Sequence, residues 1–402
     1  MARSKALWRS VIVLYFIIGL EILIMISPAA GFFYAAFNPV LLSLAQRPAT
    51  RWLTAFYLPH MVAPPDLMLA GVRLAGSVLF VVGGLVFLVC AGQVYFNKFT
   101  KKGVALRGLY NWIRHPQYLG LGLTGLGLSI LWPRFLVVAL WAVMVALYYL
   151  LARDEERRML GQFGEDYGQY MDRTGMFVPK GLENAALKLI PLGSEAVRAA
   201  VVVATLAALS VGGAFAARAY TVRSLPLWSN GPVTALAILP NDLGLLDHRM
   251  AAVVSLPEIK ARLDGQRGPF LVYVMPRNYV MQGMIADTGD EWQLYKRHHT
   301  VAMISDWILH PFGHLEGSSG MMHHAAAPGM GTESAGSGLV RRLIFLRVDT
   351  PNGEADPAAL FGINASRAPI FMADVEIHGL TVQALRDLPQ ETGWGWVPTP
   401  SF

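Results

Sequence analysis

Hydrophobic and polar positions fall in long blocks along this chain, and one block organises the rest. From Leu119 to Ala152 the only formal charge is Arg134, beside Pro133. Polar clusters bound the block, Arg114-His115-Pro116-Gln117-Tyr118-Leu119-Gly120 before it and Glu155-Glu156-Arg157 after it. An apolar run of this length, broken near its middle by a proline, predicts a helical hairpin that enters a membrane and turns back. That hairpin sets the two clusters side by side at one membrane surface. Charges placed there are costly unless they bind something, so the pair reads as a site for a charged, polar small molecule.

Other apolar blocks predict further spans. Val11–Ile26 follows Arg3, Lys5 and Arg9, with Glu21 inside it. Its length and the weak cleavage pattern after it favour an uncleaved helix over a signal peptide, with Glu21 facing other helices. Residues 28–66 are broken by Pro28, Pro39, Pro48, Pro59, Pro64 and Pro65, and the pattern leaves open whether Phe32–Leu44 spans. Leu67–Gly92 is a clear span, and Gly71, Gly76, Gly83 and Gly84 in it allow close helix packing. Residues 153–173, with Leu160, Phe163, Tyr167 and Tyr170 at helical spacing, predict an amphipathic helix along the membrane surface. Ala196–Ala217 is the last span.

After residue 218 the pattern changes. Strand-like runs occur at Thr234–Leu239, Leu271–Met275, Leu343–Val348 and Ile370–Ile377. Helices are expected at Pro257–Leu263, with Ser255 as cap, and at Val382–Leu388. Residues 316–338, rich in Gly, Ser, Ala and Met, read as a loop. The expected architecture is an all-α polytopic membrane domain of about five spans, including the hairpin, followed by a soluble mixed α/β domain. The segments are 1–195, a final transmembrane helix at 196–218, and 219–402.

Composition supports the membrane reading. The 402 residues are 54% hydrophobic and 15% charged, with mean hydropathy +0.42; this excludes an ordinary soluble protein. Residues 1–218 hold 20 Lys and Arg against 10 Asp and Glu, and residues 219–402 hold 13 against 17. The Lys and Arg residues of Lys98–Arg107 and Arg153–Lys188 mark cytoplasmic loops rather than a nucleic-acid surface. The motif side is therefore expected in the cytoplasm and residues 219–402 outside it. Cys90 is the only cysteine, so no internal disulfide forms.

The two clusters carry a family pattern. It runs Gly108-Leu-Tyr110, then Arg114-His115-Pro116-Gln-Tyr118-Leu-Gly120-x-Gly122. After the apolar hairpin come Glu155-Glu156-Arg157-x-x-Leu160-x-x-Phe163-Gly164-x-x-Tyr167-x-x-Tyr170-Met-x-Arg173-Thr174 and Phe177-Val-Pro179. In order and spacing, residues 67–180 resemble the isoprenylcysteine carboxyl methyltransferase and phospholipid methyltransferase superfamily. The resemblance implies S-adenosylmethionine as methyl donor and a lipophilic or small thiol, carboxylate or amine acceptor. It implies a cofactor site of Arg114, His115, Tyr118, Gly120, Gly122, Glu155, Glu156, Tyr167 and Tyr170, with Glu156 and Arg173 as catalytic residues. The side chains suit those roles. The Arg114 fork matches a carboxylate, Gly120 and Gly122 leave room for close approach, and the glutamates accept from an ammonium or ribose hydroxyls. Adjacent glutamates on a helix point about 100° apart, so one is expected to face the cofactor while the other pairs with Arg157, Arg158 or Arg114. The rival reading is a non-catalytic anchor, or an accessory subunit of a membrane complex, that uses this fold to hold the C-terminal domain; that domain is also the candidate surface for a protein partner.

Eight of the ten histidines lie after residue 218. His310 and His314 are four apart, but Pro311 and Gly313 disfavour a helix there. Met321-Met322-His323-His324 with Met330 has the ligand types that suit copper. We read it as a polar loop and assign no metal site.

Overall fold

The structure is a computed structural model that describes residues 41, 43–62, 65–100, 106–189, 194–279, 282, 285–286, 288, 339–351, 353 and 356–390. The Val11–Ile26 helix, Glu21, most of Phe32–Leu44, the 316–338 loop and His298, His299, His310, His314, His323 and His324 lie outside the described residues. The chain divides into two compact units. One holds the described residues of Val72–Ala214. The other holds those of Leu23–Gly71 and Phe215–Phe402.

The helices in the first part of the chain are α1 (Leu67–Phe99), α2 (Pro116–Leu131), α3 (Phe135–Phe163), α4 (Glu165–Arg173), α5 (Lys180–Leu189) and α6 (Glu195–Ser224). Three stretches among the described residues are long and apolar enough to cross a membrane: Leu67–Asn97, Phe135–Phe163 and Val197–Ser224. This fits an integral membrane protein. The fourth apolar helix, α2, has 16 residues, or about 24 Å, short of a hydrocarbon core of about 30 Å. α6 runs seven residues beyond the expected end at Ala217.

The hairpin forms as its sequence predicts. Pro116 opens α2, where its fixed φ suits the first turn and its missing N–H costs nothing. Pro133 disfavours helix at Trp132, and α2 ends there. α3 then returns antiparallel, with Trp141 Nε1 donating to the Gly122 carbonyl at 2.8 Å. α1 packs on α2 through glycines on both helices. A Cβ on Gly83 would lie 2.6 Å from the Gly120 carbonyl, and one on Gly120 would lie 2.7 Å from the Phe87 nitrogen. Gly76 meets Ile130, and Gly127 meets Phe80, in the same way. The backbones approach as closely as small residues permit. On its other face α1 exposes Leu85, Leu88 and Val89.

The charged stretch after the hairpin is not one amphipathic helix. α3 continues without interruption from its apolar part through Glu155 and Glu156 to Phe163. Gly164, at φ +56 and ψ −128, breaks it, and α4 starts in a new direction. Only glycine adopts that backbone readily, which is why the break falls there.

The second unit is built on a six-stranded sheet in chain order: β1 (Leu227–Asn230), β2 (Val233–Ala237), β3 (Phe270–Pro276), β4 (Val340–Asp349), β5 (Ser366–Glu376) and β6 (Thr381–Asp387). β2 and β3 pair parallel and every other neighbour pairs antiparallel. Three short helices make the parallel crossover: α7 (Leu243–His248), α8 (Met250–Val254) and α9 (Pro257–Asp264). They cover one sheet face, where Val272, Val274, Phe345 and Phe371 are buried. Leu271, Tyr273, Ile344 and Met372 on the opposite face are buried as well. α10 (Pro357–Leu360) precedes β5. This is the expected mixed α/β region, with four strands where the strand-like runs placed them.

Two local expectations fail. Val382–Leu388 is not a helix but lies in β6, paired to β5. Val382, Leu385 and Leu388 recur at three-residue spacing, yet a tight turn with Leu380 at φ +52 folds the chain back onto β5. Ladder bonds to a ready strand edge outweigh that short helical signal. Ser255 does not cap α9 either. Leu256 stands before Pro257, and Ser255 Oγ donates back to the Ala251 carbonyl at 2.8 Å.

Candidate functional site

The segment before α2 is shaped by backbone pairing. Gly108, at φ +66, turns the chain into a short 3-10 turn, Gly108–Asn111. Ile113 then forms a parallel bridge with Gly175. Arg114 N donates to the Gly175 carbonyl at 2.8 Å, and His115 N to the Met176 carbonyl at 3.0 Å. Only glycine fits at 175, since a Cβ would collide with the Val178 carbonyl and lie 2.6 Å from Glu183 Oε2. Glu183 of α5 holds the strap from outside, accepting from Met176 N at 2.7 Å. Tyr170 OH of α4 donates to the Tyr110 carbonyl at 2.7 Å. The Tyr167–Pro179 stretch of the motif thus clamps the Arg-His-Pro segment in place.

That clamp and the hairpin bring two charged pairs together. Arg114 Nε donates to Glu156 Oε1 at 2.5 Å, and its Nη1 donates to the carbonyls of Met171 at 3.1 Å and of Thr174. His115 Nε2 lies 3.3 Å from Glu156 Oε1, and its Nδ1 lies 3.5 Å from Glu155 Oε2. Tyr118 OH donates to Glu155 Oε1 at 2.6 Å. The Tyr118 ring is stacked between His115, at 5.6 Å, and Tyr148, at 5.4 Å. Arg114, His115 and Glu156 are buried, while the Glu155 side chain keeps 26% of its exposure. One atom stands apart: Glu156 Oε2 is buried and has no hydrogen-bond partner among the described residues.

Electrostatics follow from these contacts. Burial pushes the His115 imidazole down, but hydrogen bonds and charge from Glu155 and Glu156 outweigh it, so its pKa lies above the ordinary histidine value. Burial raises the Tyr110, Tyr167 and Tyr170 phenols, which stay neutral.

Of the residues singled out from sequence, Arg114, His115, Tyr118, Glu155 and Glu156 meet in one cluster. Tyr167 is buried against Tyr170, whose hydroxyl is spent on the clamp. The room at Gly120 is filled by α1 backbone, so that glycine serves helix packing. Gly122 has nothing within 4 Å of a built Cβ. The structure does not bring Arg173 to the cluster; it is exposed, and its Nε donates to the Gln169 carbonyl of its own helix at 3.3 Å. Nor is the Arg114 fork turned outward, since Nε and Nη1 are held by protein acceptors. Sequence reasoning missed Tyr148 and Gly175 and gave Thr174 no role. Tyr148 was detectable in principle, because it lies two helical turns before Glu155 on the same face of α3. Among the described residues no group of His, Cys, Asp and Glu could hold a metal ion.

Residues 66–166, a quarter of the chain, match the family model described as phospholipid methyltransferase, part of the isoprenylcysteine and phospholipid methyltransferase superfamily. The matched segment holds both polar clusters and the hairpin between them. Together with the three apolar helices it marks this part of the chain as membrane-methyltransferase-like. No curated protein and no solved structure matches the chain.

Proposed function

We propose that the chain is an S-adenosylmethionine-dependent membrane methyltransferase with its donor site at the Glu155–Glu156 cluster. The observation that carries this reading is Glu156 Oε2. A buried carboxylate oxygen without a donor is costly and calls for a ligand that supplies one. The cofactor's ammonium and ribose hydroxyls are such donors. Glu156 accepts from one of them through Oε2 while Arg114 and His115 hold Oε1. Glu155, partly open to solvent and fixed by Tyr118, accepts from another. Arg114 orients Glu156 instead of reaching the ligand through the nitrogens that Glu156, Met171 and Thr174 already hold. When bound, the cofactor supplies a methyl group on sulfonium for in-line displacement by an acceptor lone pair.

The apolar walls of the hairpin favour a lipophilic acceptor that arrives through the bilayer. The Lys and Arg residues of Lys98–Arg107 and Arg153–Lys188 support a cytoplasmic site and extracytoplasmic residues 219–402. Protease treatment of right-side-out vesicles checks this. Cleavage within residues 153–190 from outside refutes the orientation.

Calorimetric titration of the purified full chain with S-adenosylmethionine and with its demethylated product tests the site. Binding of both is expected. A folded protein that binds neither at millimolar concentration overturns the enzyme reading and leaves that of an anchor or accessory subunit. A methyl-label assay against membrane lipids, small thiols and prenylcysteine analogues then identifies the acceptor.

A further inference from the structure

His115 makes a pair of contacts that its neighbours do not. Its two ring nitrogens face two different carboxylates, Nδ1 toward Glu155 at 3.5 Å and Nε2 toward Glu156 at 3.3 Å. An ionised carboxylate only accepts hydrogen bonds, and a neutral imidazole has one donor and one acceptor. A neutral ring would therefore aim a lone pair at one carboxylate in either tautomer. Both contacts are favourable only when both nitrogens carry protons. The ring must also span a gap, because Glu155 and Glu156 leave α3 about 100° apart. Donors on two edges of a rigid ring can bridge that divergence.

We propose that His115 is a positioning residue, held as an imidazolium that bridges the two glutamates and sets their carboxylates for the cofactor. This rests on the cofactor reading above and adds how the site is held and when it is lost. The charges facing the ring are few. α3 contributes Glu155 and Glu156, and the ring's own segment contributes Arg114. α4 contributes the neutral phenols of Tyr167 and Tyr170. Tyr118 stacks on one face and Phe177 tilts against the ring at 6.0 Å. Asp154 is engaged with Arg157 and Arg158, and Glu183 with the Met176 amide. With the proton in place, Arg114 and His115 balance Glu155 and Glu156. Without it, one carboxylate faces a lone pair and the cluster carries a net negative charge. Glu155, the more exposed of the two, then keeps only the Tyr118 hydroxyl as a donor.

The pKa of His115 is raised in the folded protein. The bridge is therefore fully present below the ordinary histidine value of about 6.5 and is lost as pH climbs through the raised value. The test is a pH series of calorimetric titrations with S-adenosylhomocysteine, on the full chain and on His115→Gln. The ligand's own amine titrates equally in both proteins and cancels in the comparison. Wild-type affinity is expected to fall at least about tenfold relative to His115→Gln as pH rises through the transition. The variant should be weak throughout. A wild-type affinity with no histidine limb overturns the proposal without any need for the variant. So does a limb that persists in His115→Gln. A folded wild type that binds at no pH sinks the cofactor reading itself, an outcome distinct from a flat profile.

Discussion

Arg114–Glu156 in one compact unit and Arg342–Asp374 in the other are buried arginine–carboxylate pairs built to different ends. In the sheet, Arg342 on β4 meets Asp374 on β5 at one register position. Nε reaches Oδ1 and Nη2 reaches Oδ2, both at 2.7 Å. Gln282 takes Nη1 at 2.9 Å, and Arg277 adds an ion pair to Oδ2 at 3.2 Å. Both oxygens of that carboxylate are used. In the hairpin, Arg114 and His115 both converge on Oε1 of Glu156 and leave Oε2 empty. The two carboxylates are equally hidden from solvent. A saturated pair fixes a fold, because nothing further can bind it. An unsaturated one keeps capacity for a ligand.

That contrast is breakable by mutation. The largest effect is expected at the saturated pair. Asp374→Ala leaves Arg342 buried without its partner and should destabilise the second unit by about 3–5 kcal/mol. Thermal or denaturant unfolding of the full chain reads this. Cofactor affinity, measured where the variant is still folded, should stay at the wild-type value. A parallel loss of binding would break the distinction between the two pairs.

Next comes Glu156→Gln. The substitution keeps shape but puts an amide on the carboxyl group that Arg114, His115 and the ligand share. One charge-assisted hydrogen bond is worth about 1.5–3 kcal/mol, so cofactor affinity should fall roughly ten- to a hundredfold. Unchanged affinity would mean that Glu156, like Asp374, is structural. A smaller loss is expected at Tyr118→Phe, which keeps the stack on His115 and Tyr148 and removes only the hydroxyl on Glu155. About tenfold weaker binding, with an unchanged unfolding midpoint, is the anticipated result in the same titration. Smallest is Arg157→Ala. Its side chain is 78% exposed and its Asp154 contact, at 3.7 Å, is a surface pair. Neither affinity nor stability should change measurably, and a clear loss of affinity would extend the site beyond the buried cluster.

Much of this was legible in the chain because the governing signals are local. An apolar block with Pro133 at its bend and polar clusters at its ends forces those ends together. Contact of Arg114 and His115 with Glu155 and Glu156 therefore follows from the pattern, and so does the parting of the two glutamates. Four of the strands, β2 to β5, also declared themselves by β-rich apolar runs. The helix expected at Val382–Leu388 failed because three apolar residues at helical spacing cannot report an open edge on β5. Arg173 and Gly120 lie where the sequence could not foresee. Their sequence context fits the family pattern, but exposure and the approach of α1 are properties of packing.

Sequence alone indicated that the two polar clusters meet at one end of a helical hairpin, since an apolar block with a proline at its middle folds back on itself. It did not settle how donors and acceptors pair within the cluster. Adjacent side chains on a helix diverge, and a guanidinium, an imidazole and two carboxylates admit several pairings of similar energy. The clamp of Arg114 and His115 onto Gly175 and Met176 selects one. It turns Arg114 inward onto Glu156, sets both nitrogens of His115 between the glutamates and leaves Oε2 unclaimed. Hydrogen bonds depend on direction and on distances of a few tenths of an ångström, and only the folded backbone fixes those.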